Sequence, residues 1–456
     1  MHKVTLQDRI FKLPHSLLGG IALMLFLAVL LRSFIGVFLQ QSHIDFFAFI
    51  EIAGNLMLRN DPYDLENCVF SNWAEPPISF PGYMLFYAVP GLLVRFFPCT
   101  CSLFLILYLM LQFLVLSMIC LWTGRRMGWL RNWSDLLKPG PRQLGLSFLF
   151  FIICNSAPVL MTLRHGQSTI FITGAILFVV WYQGKAPILR PVLFGIAAVL
   201  KYSMVPFLGL LFLVRKKLKL CLYGAGVFFL FALTPLLAGN NLLELYQKYI
   251  ELLKTSMQKG SPNSYEISGY NMIHIGFFKL DMINMLLIAI VLVLLILVLI
   301  RTWKSNSLND ETVFFILCAT MLPAYHRLYD LTVIVPFVCL ITWRALLAKR
   351  TWVAVPGLLL IGYMLIPLSL LNRLAGKIGP VFEDFIYTSS SMGVDNIFPL
   401  QAVMMILVTC WAFCLCWEKG AGCRVQGAGC RGQGAVYVVC PQHPRCPLSS
   451  DPHHAP

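Results

Sequence analysis

The sequence predicts an all-α, polytopic membrane protein, a bundle of about twelve transmembrane helices with an amphipathic first outer loop. Three observations lead there. Hydrophobic side chains make up 58% of the 456 residues and charged ones 12%, with a mean hydropathy of +0.76, too apolar for a soluble chain of this length. Apolar stretches long enough to cross a bilayer recur along the chain, and Lys and Arg gather beside alternate ends of them.

Helices rising 1.5 Å per residue cross a hydrocarbon core of about 30 Å in roughly twenty residues. Stretches at 16–39, 102–122, 144–163, 168–184, 219–239, 283–301, 330–347, 352–371 and 398–417 meet that length, and shorter pieces at 188–200, 203–214 and 311–324 complete the charge pattern. With Lys3, Arg9 and Lys12 inside, the clusters Arg125/Arg126, Lys185, Arg215/Lys216/Lys217/Lys219, Arg301/Lys304 and Lys349/Arg350 also fall inside, provided that 80–97 does not cross. That segment is broken by Pro81, Pro90 and Pro98 and reads as a helix lying in the outer interface. The opening stretch reads as a first anchor, its apolar run being too long for a cleaved signal peptide. Outer loops then fall at 40–100, 240–282 and 373–397, and the inner loops are short and basic.

The chain therefore divides into a membrane domain, 1–417, and a Cys/Gly/Pro-rich tail, 418–456, expected to be a disordered appendage. The tail's Cys440, His443, Cys446, His453 and His454 match no zinc-finger spacing, so no metal is expected. Thirty-five Lys and Arg against twenty Asp and Glu give +15, yet no basic run exceeds three residues. The excess is topological, and nucleic acid is not an expected partner.

Ionisable groups at span edges are costly and so point to function. They form four clusters, all on the outer side. Asp45 lies just past the first span, at the start of a segment whose Phe46, Phe49, Ile50, Ala53 and Met57 recur at helical spacing up to the Asn60-Asp61-Pro62 turn. Asp45 suits either a general base at the mouth of a desolvated cavity or a cap of that helix. Arg164-His165-Gly166-Gln167 occupies a tight turn between two spans, where its donors suit a phosphate or sugar, or simply cap helix ends. Lys201, between two short apolar segments, demands an anion if buried and none if it snorkels. Tyr325-His326-Arg327-Leu328-Tyr329-Asp330 forms another outer turn; His326 and Asp330 would share a helix face, and Arg327 and Asp330 would pair.

The order Asp45-Phe46, Asp61-Pro62-Tyr63, Phe80-Pro81, His165-Gly166-Gln167, Lys201 with Pro206, and Tyr325-His326 with Tyr329 resembles the polytopic glycosyltransferases of family 87. These are GT-C fold enzymes that include polyprenol-phosphate-mannose-dependent mannosyltransferases of bacterial envelope glycolipids. The similarity covers roughly residues 16–417, departing at Pro81-Gly82, where many members have two prolines, and in the more highly charged run around His326. The resemblance implies transfer of a hexose, expected to be mannose, from a polyprenyl-phosphate donor to a lipid or glycan acceptor on the outer face of a bacterial inner membrane. It also implies inversion, Asp45 as catalytic base, His326 and Lys201 as substrate contacts, and membrane lipids as surroundings. Arg164, His165, Gln167, Arg327 and Tyr329 would complete the substrate site, with neither cofactor nor metal, since a lipid phosphate is already a good leaving group. The rival reading is a transporter or flippase for a lipid-linked or anionic substrate, which suits buried Lys and His equally. Against it stand the absence of an internal repeat and the outer-rim position of the polar groups.

Overall fold

The computed structural model describes residues 15–34, 44–64, 80–130, 140–182, 186–259, 272–273, 280–304, 309–323, 326–382, 389–391, 394–397 and 399–425. The chain divides into two compact units, Met1–Cys416 and Trp417–Pro456. The first is an all-α bundle, and the site lies wholly within it. The tail's cysteine and histidine cluster falls outside the described residues.

In chain order the helices are α1 (His15–Phe34), α2 (Ile44–Met57), α3 (Met84–Phe96), α4 (Cys101–Arg126), α5 (Pro141–Asn155), α6 (Ala157–His165), α7 (Thr169–Trp181), α8 (Leu189–Leu200) and α9 (Val205–Val214). They continue with α10 (Leu218–Ala232), α11 (Leu242–Lys259), α12 (Asp281–Lys304), α13 (Asp310–Met321), α14 (Val335–Leu347), α15 (Thr351–Leu365), α16 (Leu368–Ile378) and α17 (Leu400–Val425). Strand β1 (Met272–Ile273) pairs antiparallel with β2 (His326–Arg327), and β3 (Ser389–Ser391) with β4 (Val394–Ile397).

Among the described residues four helices are long and apolar enough to cross a membrane: Pro98–Arg126, Leu218–Ala238, Met282–Trp303 and Leu400–Trp417. The bent pair α5 and α6 makes a fifth if counted as one span, and α7, α8, α9, α14 and α15 are shorter apolar helices. These numbers make the protein multi-pass but do not reach the expected twelve spans. The reason is local. Prolines and polar turns cut the apolar stretches, as at Pro206 and Pro336 in the first turns of α9 and α14, so the central helices α7 and α13 hold only thirteen and twelve residues. Every residue of α13 is buried, whereas α4 presents Leu103, Ile106, Leu107, Met110, Leu111 and Leu114 outward. That is the pattern of a buried core helix beside a lipid-facing one.

Three expectations change. The stretch 144–163 is two helices, not one continuous rod, bent by 57°. Ser156 between them is extended, the Asn155 amide and the Ser156 hydroxyl bond back to Phe151 and Ile153 carbonyls, and Pro158 starts the new helix. Helix α2 is not a one-sided helix resting on the bundle, since residues 48–56 are all buried. Helix α3 lies against it so closely that a Cβ on Gly91 would stand 2.7 Å from the Gly54 nitrogen, and Arg95 of α3 donates to the buried Asn55 side chain. The other outward face of α3 keeps Leu85, Val89 and Phe96 exposed, as an interfacial helix would. Lastly, the loop expected over 240–282 contains the eighteen-residue helix α11, which buries Leu245 and Tyr249 and ties Lys248 to Glu244 and Asp61 at 3.0 Å each.

Candidate active site

The site is built where four local structures meet. Helix α6 ends on Gly166, whose φ of +68° is left-handed and whose N–H bonds back to the Leu163 and Thr162 carbonyls. A Cβ here would also stand 2.6 Å from the Phe46 Cβ, so this turn presses directly on the first turn of α2. Glycine is needed on both counts. The Gln112 side chain of α4 donates to the Gln167 carbonyl and fixes the turn from the other side. His165, one residue before the glycine, is thereby held with Nδ1 3.7 Å from Asp45 Oδ2. Both side chains keep some access to solvent, 21% for His165 and 22% for Asp45.

The same helix reaches the turn after α13. Thr162 shares a 2.9 Å hydroxyl contact with Thr332 and donates to the Tyr329 carbonyl, binding α6 to the 3₁₀ segment Leu328–Val333. The Tyr329 ring therefore lies between two cationic-capable groups, 6.2 Å from the His165 ring and 5.7 Å from Lys201 Nζ. Lys201 follows the last residue of α8 in a non-helical conformation, and the Tyr83 hydroxyl caps the adjoining Leu200 carbonyl.

Lys201 Nζ meets Asp330 Oδ1 at 2.7 Å; the lysine is 19% exposed and the aspartate 1%. The other carboxylate oxygen accepts from His326 Nδ1 at 2.9 Å and from the Arg327 backbone N–H at 3.2 Å. Because an ionised carboxylate only accepts, the proton of the imidazole sits on Nδ1, leaving Nε2 as a buried nitrogen with no hydrogen-bond partner. Burial pushes the His326 imidazole below its ordinary value, against the pull of Asp330. His326 is thus neutral and stands one layer behind Lys201. Backbone pairing of β1 with β2 brings the segment before α12 alongside it.

Asp45, His165, Tyr329 and Lys201 thus form one continuous patch, with His326 joined to it through Asp330. Arg164 is exposed on the last turn of α6, Gln167 contributes its carbonyl to the turn, and Arg327 is half-buried beside His326. The expected pairing of His326 with Asp330 is present, though on a strand and a 3₁₀ turn rather than an α-helix, and Arg327 meets Asp330 through its backbone N–H. Sequence reasoning gave Asp330 no part in the site, although a buried Lys201 required an anion and Asp330 was the acid nearest His326.

A multi-pass membrane bundle with an acid, imidazoles and an ammonium converging on one patch is a frame for enzymatic group transfer. The model of glycosyltransferase family 87 matches residues 80–325, more than half of the chain, and the protein belongs to that family. It is a membrane glycosyltransferase, with a sugar donor and an acceptor as substrates. The matched region contains His165 and Lys201; the turn from His326 to Asp330 follows it directly, and Asp45 precedes it by 35 residues. No curated protein and no solved structure matches the chain.

Proposed function

We propose that this glycosyltransferase moves a hexose, mannose, from a polyprenyl-phosphate donor to a lipid or glycan acceptor on the outer face of a bacterial inner membrane, inverting the anomeric carbon. The observation that carries this reading is the patch itself. A carboxylate that no cation neutralises at hydrogen-bond distance, Asp45, lies 3.7 Å from His165, and the His165 ring and the Lys201 ammonium lie 6.2 and 5.7 Å from the same Tyr329 ring. In the reaction the acceptor hydroxyl gives its proton to Asp45 as its oxygen attacks the anomeric carbon. The bond from that carbon to the phosphate oxygen breaks on the opposite side, and its electron pair leaves with the phosphate. One N–H of the Lys201 ammonium is committed to Asp330 and two remain for a phosphate oxygen. Exposed Arg164 adds a second charge. His326, fully buried, acts on the lysine through Asp330 rather than on the substrate.

The same reading takes the bundle as GT-C-like. Counting the shorter apolar helices and α1 as crossings brings the total close to twelve. No cofactor or metal has a part in the proposed step, the lipid phosphate being a good leaving group by itself.

The direct test is transfer of radiolabelled mannose from a polyprenyl-phosphate donor by the protein in lipid nanodiscs. Covalent glycolipid should form, be lost in Asp45→Asn and persist in Asp64→Asn, an exposed carboxylate on the neighbouring turn. Full transfer by Asp45→Asn would refute the base assignment, and sugar uptake into vesicles without covalent product would refute the proposed reaction. Orientation is read separately: a single cysteine at Asn60 should react with an impermeant reagent from outside, and one at Asn306 should not.

A further inference from the structure

Helix α16 has sides of different character. Leu371 and Ala375 are buried, at 3% and 1% exposure, and the helix lies against β4. Leu370 and Leu374 stand open at 55% and 47%, and Arg373 and Lys377 are exposed with them. The ion pairs among the described residues include neither cation. With roughly 3.6 residues per turn, the order around the cylinder is Leu371 and Ala375, then Leu374 and Leu370, then Lys377 and Arg373. A helix lying in a bilayer surface meets protein, acyl chains and headgroups in that order.

The helix begins where an apolar one stops. Helix α15 ends at Leu365, Ile366 is extended and Pro367 follows. Helix α14 leaves the turn that carries Tyr329 and Asp330, and α15 returns beside it, so closely that a Cβ on Gly357 would collide with the Thr342 hydroxyl. Val335 to Thr342 is seven residues and Gly357 to Leu365 is eight, so the two rises nearly match and α16 starts at the level of the site. Topology does not account for its charges. With α15 as a crossing, Lys349 and Arg350 precede it and Arg373 and Lys377 follow it, and the bias of Lys and Arg toward one side of a membrane explains only one of those pairs.

We propose that α16 is a docking surface for anionic phospholipid in the leaflet beside the site. Leu370 and Leu374 enter the acyl region, and Arg373 and Lys377 take the lipid phosphates as their anions. Lipid is the occupant because the open apolar strip continues the exposed Val355, Leu358 and Leu359 of α15 and is edged by two cations. A net anionic headgroup is the better fit, since the ammonium of a zwitterionic one repels Arg373 and Lys377. The inference stands apart from the sugar and from the role of Asp45.

The test uses the full chain in nanodiscs of phosphatidylcholine with a minority of phosphatidylglycerol. The photo-crosslinker p-benzoylphenylalanine in place of Leu374 should label lipid, and the phosphatidylglycerol fraction among the crosslinks should exceed its bulk fraction by about fivefold for each cation engaged. Arg373→Gln with Lys377→Gln should return that fraction to the bulk value with lipid crosslinks retained. Lys248→Gln, at an exposed lysine of α11, should leave the enrichment in place, as should the charge-preserving pair Arg373→Lys with Lys377→Arg. Crosslinking to a second copy of the chain instead of lipid, a bulk fraction before any charge is removed, or enrichment that survives the double glutamine variant overturns the proposal. Loss of enrichment in the charge-preserving pair overturns it too, and assigns the two residues to the fold.

Discussion

Two buried aspartates stand at opposite ends of the same short helices. Asp310 opens α13, and Asp330 follows its end. Along α7 the distance from the His165 turn to Trp181 is about 20 Å at 1.5 Å per residue. Asp310 accepts from Arg126 at 2.9 Å and Arg344 at 2.7 Å through one oxygen and from the Trp181 indole at 2.8 Å through the other. It therefore ties the ends of α4, α14 and α7 to α13, and its partners end there. Asp330 likewise collects an ammonium, an imidazole and a backbone N–H, but its lysine leads on past Tyr329 to His165 and Asp45. The same device, a carboxylate satisfied by cationic donors, fastens helices at one end and aims a reactive group at the other. A buried ion pair is evidence of function only when one partner leads on to further groups that could handle a substrate.

Substitutions at the two ends should break this symmetry. The largest effect belongs to Asp45→Asn, expected to lower transfer by about 10²- to 10⁴-fold with an unchanged unfolding temperature, measured by glycolipid formation and by scanning fluorimetry. Next comes Asp330→Ala, which leaves the Lys201 ammonium without its anion. Unfolding in detergent should show a loss of about 3–5 kcal/mol, and transfer should fail. Adding Lys201→Met to that variant should recover much of the stability and none of the transfer, which separates aiming from fastening. Asp310→Ala should cost less, about 1–3 kcal/mol, because Arg126 and Arg344 remain about a third exposed and can find water. Its activity per folded molecule should match wild type, and a loss there would erase the distinction between the two ends.

A smaller effect is read from pH. The folded His326 has its pKa lowered, chiefly by burial, so its contribution to stability is complete above the unfolded value of about 6.5 and is lost as pH falls towards the folded one. Wild type should lose stability between pH 7 and 5, and His326→Gln should flatten that slope in urea titrations. The smallest change is expected from Lys248→Met on α11. That lysine is 43% exposed, and losing its two surface ion pairs should cost less than about 1 kcal/mol.

What the sequence disclosed was mostly what is local. The turn at His165-Gly166 is announced by its glycine, and the apolar stretches mark most helices because their character is continuous. Helix α11 was read as part of a loop: Leu245, Tyr249 and Leu252 do repeat at helical spacing with Glu244 and Lys248 four apart, but the polar residues between them hide it. The burial of α2 was not legible. It depends on α3, more than thirty residues away, settling its Gly91 on Gly54, with Arg95 answering Asn55. The partnership of Lys201 with Asp330 and of Arg126 with Asp310 joins residues 129 and 184 positions apart in the chain, the second separation being that of its hydrogen bond. No local pattern encodes either pairing; each follows from how the helices pack.

The break at Ser156 has a consequence for evolution and for engineering. Helix α6 is nine residues long, about 13 Å, and departs from its predecessor by 57°, so its tip is carried sideways by roughly 11 Å relative to a rod that continued straight. That displacement is comparable to the width of a helix, enough to swing the imidazole of His165 from one neighbour to the next. Straightening the joint, by replacing Pro158 and the two polar residues before it with alanine, would disarm the enzyme without touching any group that handles sugar or proton.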